Sequence, residues 1–345
     1  MAHGVLETRD VATGRMQYLP QLDGLRAIAV LAVMAHHAYT FIGGWIGVQV
    51  FFVLSGYLIT SLLVREREST GHIKLGRFWL RRLLRLYPPL LAALIVLFPL
   101  GLAASGSITE YLTENAVAAS YTTNLFGLFT GQSAGAWSHT WTLAVEEQFY
   151  LLWPLAFIIV FATKARFRII VLTGLGFLSL LVTALQVVPG NSTFNPLLTA
   201  GGLILGCVLA LTKESWWTRA QHRSVGFAGA LSLVLALGFA STTGALRPGA
   251  EMLAVLGSLL FVAHIASTSG KLSRVLSFGP LVYLGRISYE LYLWHFPLFL
   301  MILAIWPGHY RPTILLAYAL AFGASILSHQ FVSGPLNRRF KPILS

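Results

Sequence analysis

The stretch Pro20-Gln21-Leu22-Asp23-Gly24-Leu25-Arg26-Ala27-Ile28-Ala29-Val30-Leu31-Ala32-Val33-Met34-Ala35-His36-His37-Ala38-Tyr39-Thr40-Phe41 decides what kind of chain this is. It is long enough to cross a bilayer at about 1.5 Å per residue. It nevertheless carries an acid, a guanidinium and two imidazoles, which are costly in hydrocarbon and mark functional positions when a chain keeps them there. Arg26 and His37 stand eleven residues apart. At about 100° per residue they fall within roughly 20° of one helical face, on the order of 16 Å apart along the axis. His36 lies about 80° off that line, so helical phase favours His37 over its neighbour.

The rest of the chain agrees with a membrane setting. Of 345 residues, 56% are hydrophobic and 10% charged, far from soluble norms. Apolar runs predict about ten spans, near 20–41, 45–64, 83–104, 142–162, 169–188, 196–212, 225–242, 250–268, 285–306 and 312–333. The expected fold is an all-α polytopic membrane helix bundle. Residues 20–345 read as one domain behind a 1–19 lead, with no internal repeat and no room for an attached soluble esterase-like domain.

The net charge of +12 does not indicate nucleic acid, because the basic residues follow the membrane and form no patch interleaved with aromatics. Of the 24 Lys and Arg, all except Arg247 and Arg311 fall on one side or in the adjoining helix ends. The positive-inside rule then puts both termini in the cytoplasm, in the inner or cytoplasmic membrane, with anionic lipid headgroups as neighbours. The single cysteine, Cys207, rules out an intrachain disulfide and a cysteine metal site, and no metal is expected.

Four further stretches carry polar groups within or beside apolar runs. Phe51 to Ile59 holds Ser55 and Gly56, a pair that lets membrane helices approach closely. Phe78-Trp79-Leu80-Arg81-Arg82-Leu83-Leu84-Arg85 places Arg82 and Arg85 as i, i+3 neighbours. Thr142 to Pro154 opens a span with Glu146 and Glu147. Leu284 to Pro297 puts Ser288, Tyr292 and His295 on one face at i, i+4, i+7, with Glu290 roughly opposite. Between the third and fourth spans, residues 105–141 read as a long loop without Lys or Arg, suited to a lid over an acceptor.

Arg26-x10-His37 behind Leu-Asp-Gly-Leu, together with those four stretches in order, resembles the membrane-bound acyltransferase-3 family. The known departures are Thr142, where the family usually has Ser, and the doubled His36-His37. The resemblance implies an O-acyltransferase moving an acyl group, commonly acetyl, from acyl-CoA to a hydroxyl of a sugar or glycan. No permanently bound cofactor is implied; acyl-CoA is a co-substrate arriving from the cytoplasm. His37 and Glu146 are then the catalytic candidates, His37 as general base or transient acyl carrier and Glu146 as the carboxylate orienting its imidazole. Arg26, Arg82 and Arg85 would bind the donor's phosphates through their planar forks. Asp23, Ser55, Ser288, Tyr292 and His295 become pocket or supporting residues. A glycosylated small metabolite such as a macrolide is the alternative acceptor. A transporter with charges along its path is the rival class, although no inverted repeat is visible.

Overall fold

In the computed structural model, residues 18–185, 194–212, 214–239 and 247–344 are described, and nearly all are helical. The expected 1–19 lead lies almost wholly outside these residues. The chain runs through α1 (Pro20–His37), α2 (Ile46–Thr70), α3 (Leu75–Ala104), α4 (Ile108–Ala119), α5 (Thr123–Thr130), α6 (Trp141–Phe161) and α7 (Ala165–Ala184). It continues through α8 (Pro196–Thr199), α9 (Gly201–Leu211), α10 (Glu214–Ala220), α11 (Arg223–Phe239) and α12 (Arg247–Ser267). It ends with α13 (Lys271–Leu276), α14 (Gly279–Arg286), α15 (Ser288–Ile305), α16 (Tyr310–Ser328) and α17 (Gly334–Leu344), the last two joined by a π-helical turn, His329–Ser333.

A helix lies at each of the ten expected spans. Seven are long and apolar enough to cross a membrane, which makes the chain a multi-pass membrane protein. Outside that set stand α1, with Asp23, Arg26 and two histidines in its 18 residues, and two shorter apolar helices, Gly201–Leu211 and Arg223–Phe239. The sixth span breaks at Ala200, between Pro196 and the Gly201-Gly202 pair.

Two expected loops are instead helical. The charged stretch after the second span continues α2 to Thr70 and resumes in α3 at Leu75. Gly71 ends α2 with φ +75°, donating its N–H to Arg67 O, the left-handed cap that glycine adopts without strain. Residues 105–141 form α4, α5 and the 3-10 turn Gly135–Thr140. That segment is fastened down: Tyr111 and Trp137 are buried in the core with α1, α3 and α15. Asn124 and Gln148 exchange two amide hydrogen bonds, at 3.1 and 2.8 Å. The stretch expected as a loop over the acceptor is therefore a packed helical segment.

Helix α1 lies at the centre. One face packs with α3, α15 and α16 through Val30, Val33, Met34, Leu90, Leu94 and Leu298. Its other face joins α2, α9 and α12 through Leu22, Leu25, Val53, Leu205 and Val262. Glycines set the closeness of this seam. A Cβ at Gly24 would overlap the Leu276 carbonyl, and one at Gly285 would overlap the Asp23 carbonyl. Backbone therefore meets backbone where α1 crosses α13 and α14, as small residues permit in membrane bundles.

Candidate active site

The α1–α15 contact carries polar groups at both ends. At one end Arg26 donates to Ser288 Oγ from Nη2 at 3.1 Å and from Nε at 3.3 Å. Seven residues further along α15, about 10 Å of rise, His295 Nε2 lies 2.8 Å from His37 Nδ1. The two imidazoles are nearly parallel, with centroids 5.1 Å apart and planes 17° apart. The face read from the sequence is the one that meets α15. His36 turns away, its Cβ against Gly44.

A third imidazole completes the cluster. His139 stands edge-on to both rings, with centroids 6.2 Å from His37 and 5.4 Å from His295. Its Nε2 donates to the Tyr292 carbonyl at 2.9 Å, while Tyr292 OH donates back to the His139 carbonyl at 2.7 Å. Thr142 Oγ1 lies 2.7 Å from the same phenol, so it is the donor in that contact. The hydroxyl that varies from the family's Ser is thus part of the frame around His139. Phe296 closes the cluster, 4.5 Å from the His37 ring.

The guanidinium end opens on a cavity of about 560 Å3, within the usual range for small-molecule sites. Arg26, Arg82, Arg85, Asp23 and Ser55 all line it, and His37, His295 and Tyr292 do not. Among the described residues, no carboxylate lies within salt-bridge distance of Arg26, Arg82 or Arg85. Arg82 lies over the Tyr150 ring at 4.9 Å, and Arg26 over Phe51 at 5.6 Å. Aromatic faces hold these cations while leaving N–H groups free for an anion.

Glu146 departs from expectation. Its Oε1 accepts from Ser55 Oγ at 2.7 Å, and Tyr150 OH donates to the same Ser55 at 2.9 Å. Among the described residues it makes no hydrogen bond to His37, which is bonded to His295 instead. The carboxylate sits in the electrostatic field of Arg26 and Arg82. The orienting role read from the sequence is thus corrected: α6 presents Glu146 towards α2, not towards the imidazoles.

Asp23 joins a rim contact. Tyr18 OH donates to Asp23 Oδ2 at 2.5 Å, and Arg286 donates to the phenol oxygen at 3.0 and 3.2 Å. Burial first, then the bond to Asp23, raises the Tyr18 phenol above its ordinary pKa. Also lining the cavity, Glu290 Oε1 accepts from Ser333 at 2.7 Å and meets His329 Nδ1 at 3.2 Å.

Sequence reasoning missed His139, Glu290, His329 and Ser333 as site neighbours. His139 precedes a helix and has no periodicity to expose it. Glu290 falls off the Ser288 face. His329 and Ser333 converge through a π turn, a feature common at functional sites and without a simple sequence signal.

An all-helical membrane bundle with clustered imidazoles at one end of a helix pair and guanidinium groups without a carboxylate partner among the described residues at the other fits a membrane-embedded group-transfer or transport scaffold. The acyltransferase domain model decides between them, matching residues 19–329, so the chain belongs to the acyltransferase-3 family. It is 31% identical to the peptidoglycan O-acetyltransferase OatA of Listeria monocytogenes, over 93% of this chain and 56% of that protein. It is 30% identical to the O-acetyltransferase OatA of Staphylococcus aureus strain NCTC 8325, over 94% of this chain and 58% of that protein. The chain therefore spans little more than half the length of these relatives. No solved structure matches it.

Proposed function

We propose that this protein is a membrane O-acetyltransferase that moves acetyl from acetyl-CoA to a hydroxyl of an envelope glycan. The observation that carries the reading is the pairing within one helix contact. Among the described residues, three guanidinium groups without a carboxylate in salt-bridge distance line a cavity at one end, and a cluster of imidazoles occupies the other. The donor's pyrophosphate and 3′-phosphate match the first, through bidentate charge-assisted bonds. The spacing of about 16 Å suits an extended pantetheine arm reaching the second. The relatives' names support an acetyl group and, in one case, peptidoglycan as acceptor.

In this reading the chain crosses the membrane ten times with both ends in the cytoplasm, so the donor enters from the cytoplasmic side. His37 removes the proton of the acceptor hydroxyl as that oxygen attacks the thioester carbonyl. The C–S bond then breaks, and the thiolate leaves with the proton returned by His37. Glu146 does not touch the imidazole. It offsets part of the cationic field around the donor phosphates and holds Ser55 and Tyr150 in place.

Purified protein in nanodiscs, given acetyl-CoA and an N-acetylglucosamine oligomer, tests the reading. Coenzyme A release matched by acetylated oligomer, without any ion gradient, is the expected result. Turnover that appears only in sealed vesicles under a gradient would instead favour a transporter.

A further inference from the structure

The hydrogen bonds behind His37 identify which of its nitrogens is available. His295 Nδ1 lies 2.9 Å from the Leu291 carbonyl oxygen, and its Nε2 lies 2.8 Å from His37 Nδ1. A carbonyl can only accept, so His295 carries its proton on Nδ1. In the neutral ring Nε2 is then bare and can only accept. His37 must therefore donate through Nδ1, which leaves its own Nε2 with a free lone pair. The opposite tautomer of His37 would set two lone pairs face to face inside the bundle, where His295 is fully buried.

We propose that His295 is a positioning residue that fixes the tautomer of His37, so that Nε2 of His37 takes the acceptor proton. The inference rests on the acyl-transfer reading above. It gives a neutral ring the task that a carboxylate performs in a serine-hydrolase triad. Among the described residues, no carboxylate hydrogen-bonds any ring of the cluster, and Glu146 is committed to Ser55. His139 cannot replace His295. Its Nε2–H is spent on the Tyr292 carbonyl, and its ring is edge-on to His37 at 81°.

The proton balance follows directly. The acceptor O–H proton moves to His37 Nε2, and the resulting cation keeps donating Nδ1–H to His295 Nε2. If that second proton crosses, His295 becomes the cation, its Nδ1–H already resting on the Leu291 carbonyl. The positive charge settles on either ring without either one rotating. When the thiolate departs, His37 Nε2 gives up its proton and the original arrangement returns.

His295→Gln and His295→Leu separate this role from simple packing. The glutamine keeps an oxygen that accepts from His37 Nδ1–H, whereas the leucine fills space without an acceptor. With acetyl-CoA and the N-acetylglucosamine oligomer, His295→Leu should lower kcat about 10²- to 10⁴-fold, with the donor KM within about threefold. His295→Gln should recover at least about tenfold of that loss, because only the acceptor atom has been restored. A second measurement reads His37 directly: diethyl pyrocarbonate should modify it in wild type and His295→Gln much faster than in His295→Leu. Equal rates for the two variants in both measurements, or a loss confined to donor KM, overturns the proposal. Full activity in His37→Ala would instead overturn the underlying acyl-transfer reading, while leaving the modification result interpretable.

Discussion

At one end of the α1–α15 contact, Arg26 meets Ser288 beside an open cavity; at the other, His37 meets His295 among packed rings. The first end keeps net charge and access to solvent. The second is more enclosed, with His139 and His295 buried and His37 partly so, and it ties ring nitrogens to one another and to backbone carbonyls. Binding and chemistry ask for these different settings. Phosphates need cations that water can reach while the ligand enters, whereas proton transfer gains from fixed partners in a medium that does not screen them. In the proposed function one helix pair would supply both, because about three turns of apolar rise separate Arg26 from His37.

Substitutions at the two ends should therefore fail differently. His37→Ala should cost about 10²- to 10⁴-fold in kcat with donor KM preserved, and His36→Ala should keep most activity because no hydrogen bond joins its ring to His295 or His139 among those described. Rates of coenzyme A release from variants matched for folding check this; an inactive His36→Ala beside an active His37→Ala would erase the distinction. At the guanidinium end, Arg82→Ala should act on donor KM. Loss of a charge-assisted bond of about 1.5–3 kcal/mol corresponds to roughly 10- to 150-fold. Arg82→Lys should restore part of it, since an ammonium lacks the planar fork. Saturation curves in acetyl-CoA give the answer, and an unchanged KM would leave the cavity without its proposed occupant.

The seam between the two ends offers a control that belongs to neither. Gly285→Ala forces a methyl into the Asp23 carbonyl. Overpacking of this kind costs about 1–3 kcal/mol, expected as a lower thermal midpoint in detergent with both kinetic constants affected together. The smallest effect should come at the rim. Tyr18 is 54% exposed, and exposed polar contacts contribute about 0–1 kcal/mol. Tyr18→Phe should thus shift donor KM by less than about fivefold, and a larger change in a donor titration would make the rim part of the binding surface.

The sequence made α1 legible because periodicity within one helix is a local property: the positions of Arg26 and His37 fix their common face. The Ser288, Tyr292 and His295 face of α15 was readable for the same reason, and the structure turns it towards α1 and the Gly135–Thr140 turn. Which helices stand side by side is not local. The resemblance paired Glu146 with His37, yet α6 directs it to Ser55 on α2. Charge misled the reading of residues 65–82, since arginines on a helix end are as well solvated as in a loop. Polar composition likewise hid α4 and α5, whose stability comes from buried contacts of Tyr111, Ala118 and Asn124 rather than from an apolar stripe.

The π turn at His329–Ser333 has a bearing on how this chain can vary. Residues four apart there both reach Glu290, and the turn sets the angular position of everything after it. Removing one residue from it would rotate α17 by about 100° and carry Asn337, which lines the cavity, round to another side. Changes of side chain within the turn disturb one contact at a time. A change in its length disturbs all of them together, so insertions and deletions here should be tolerated far less than point substitutions.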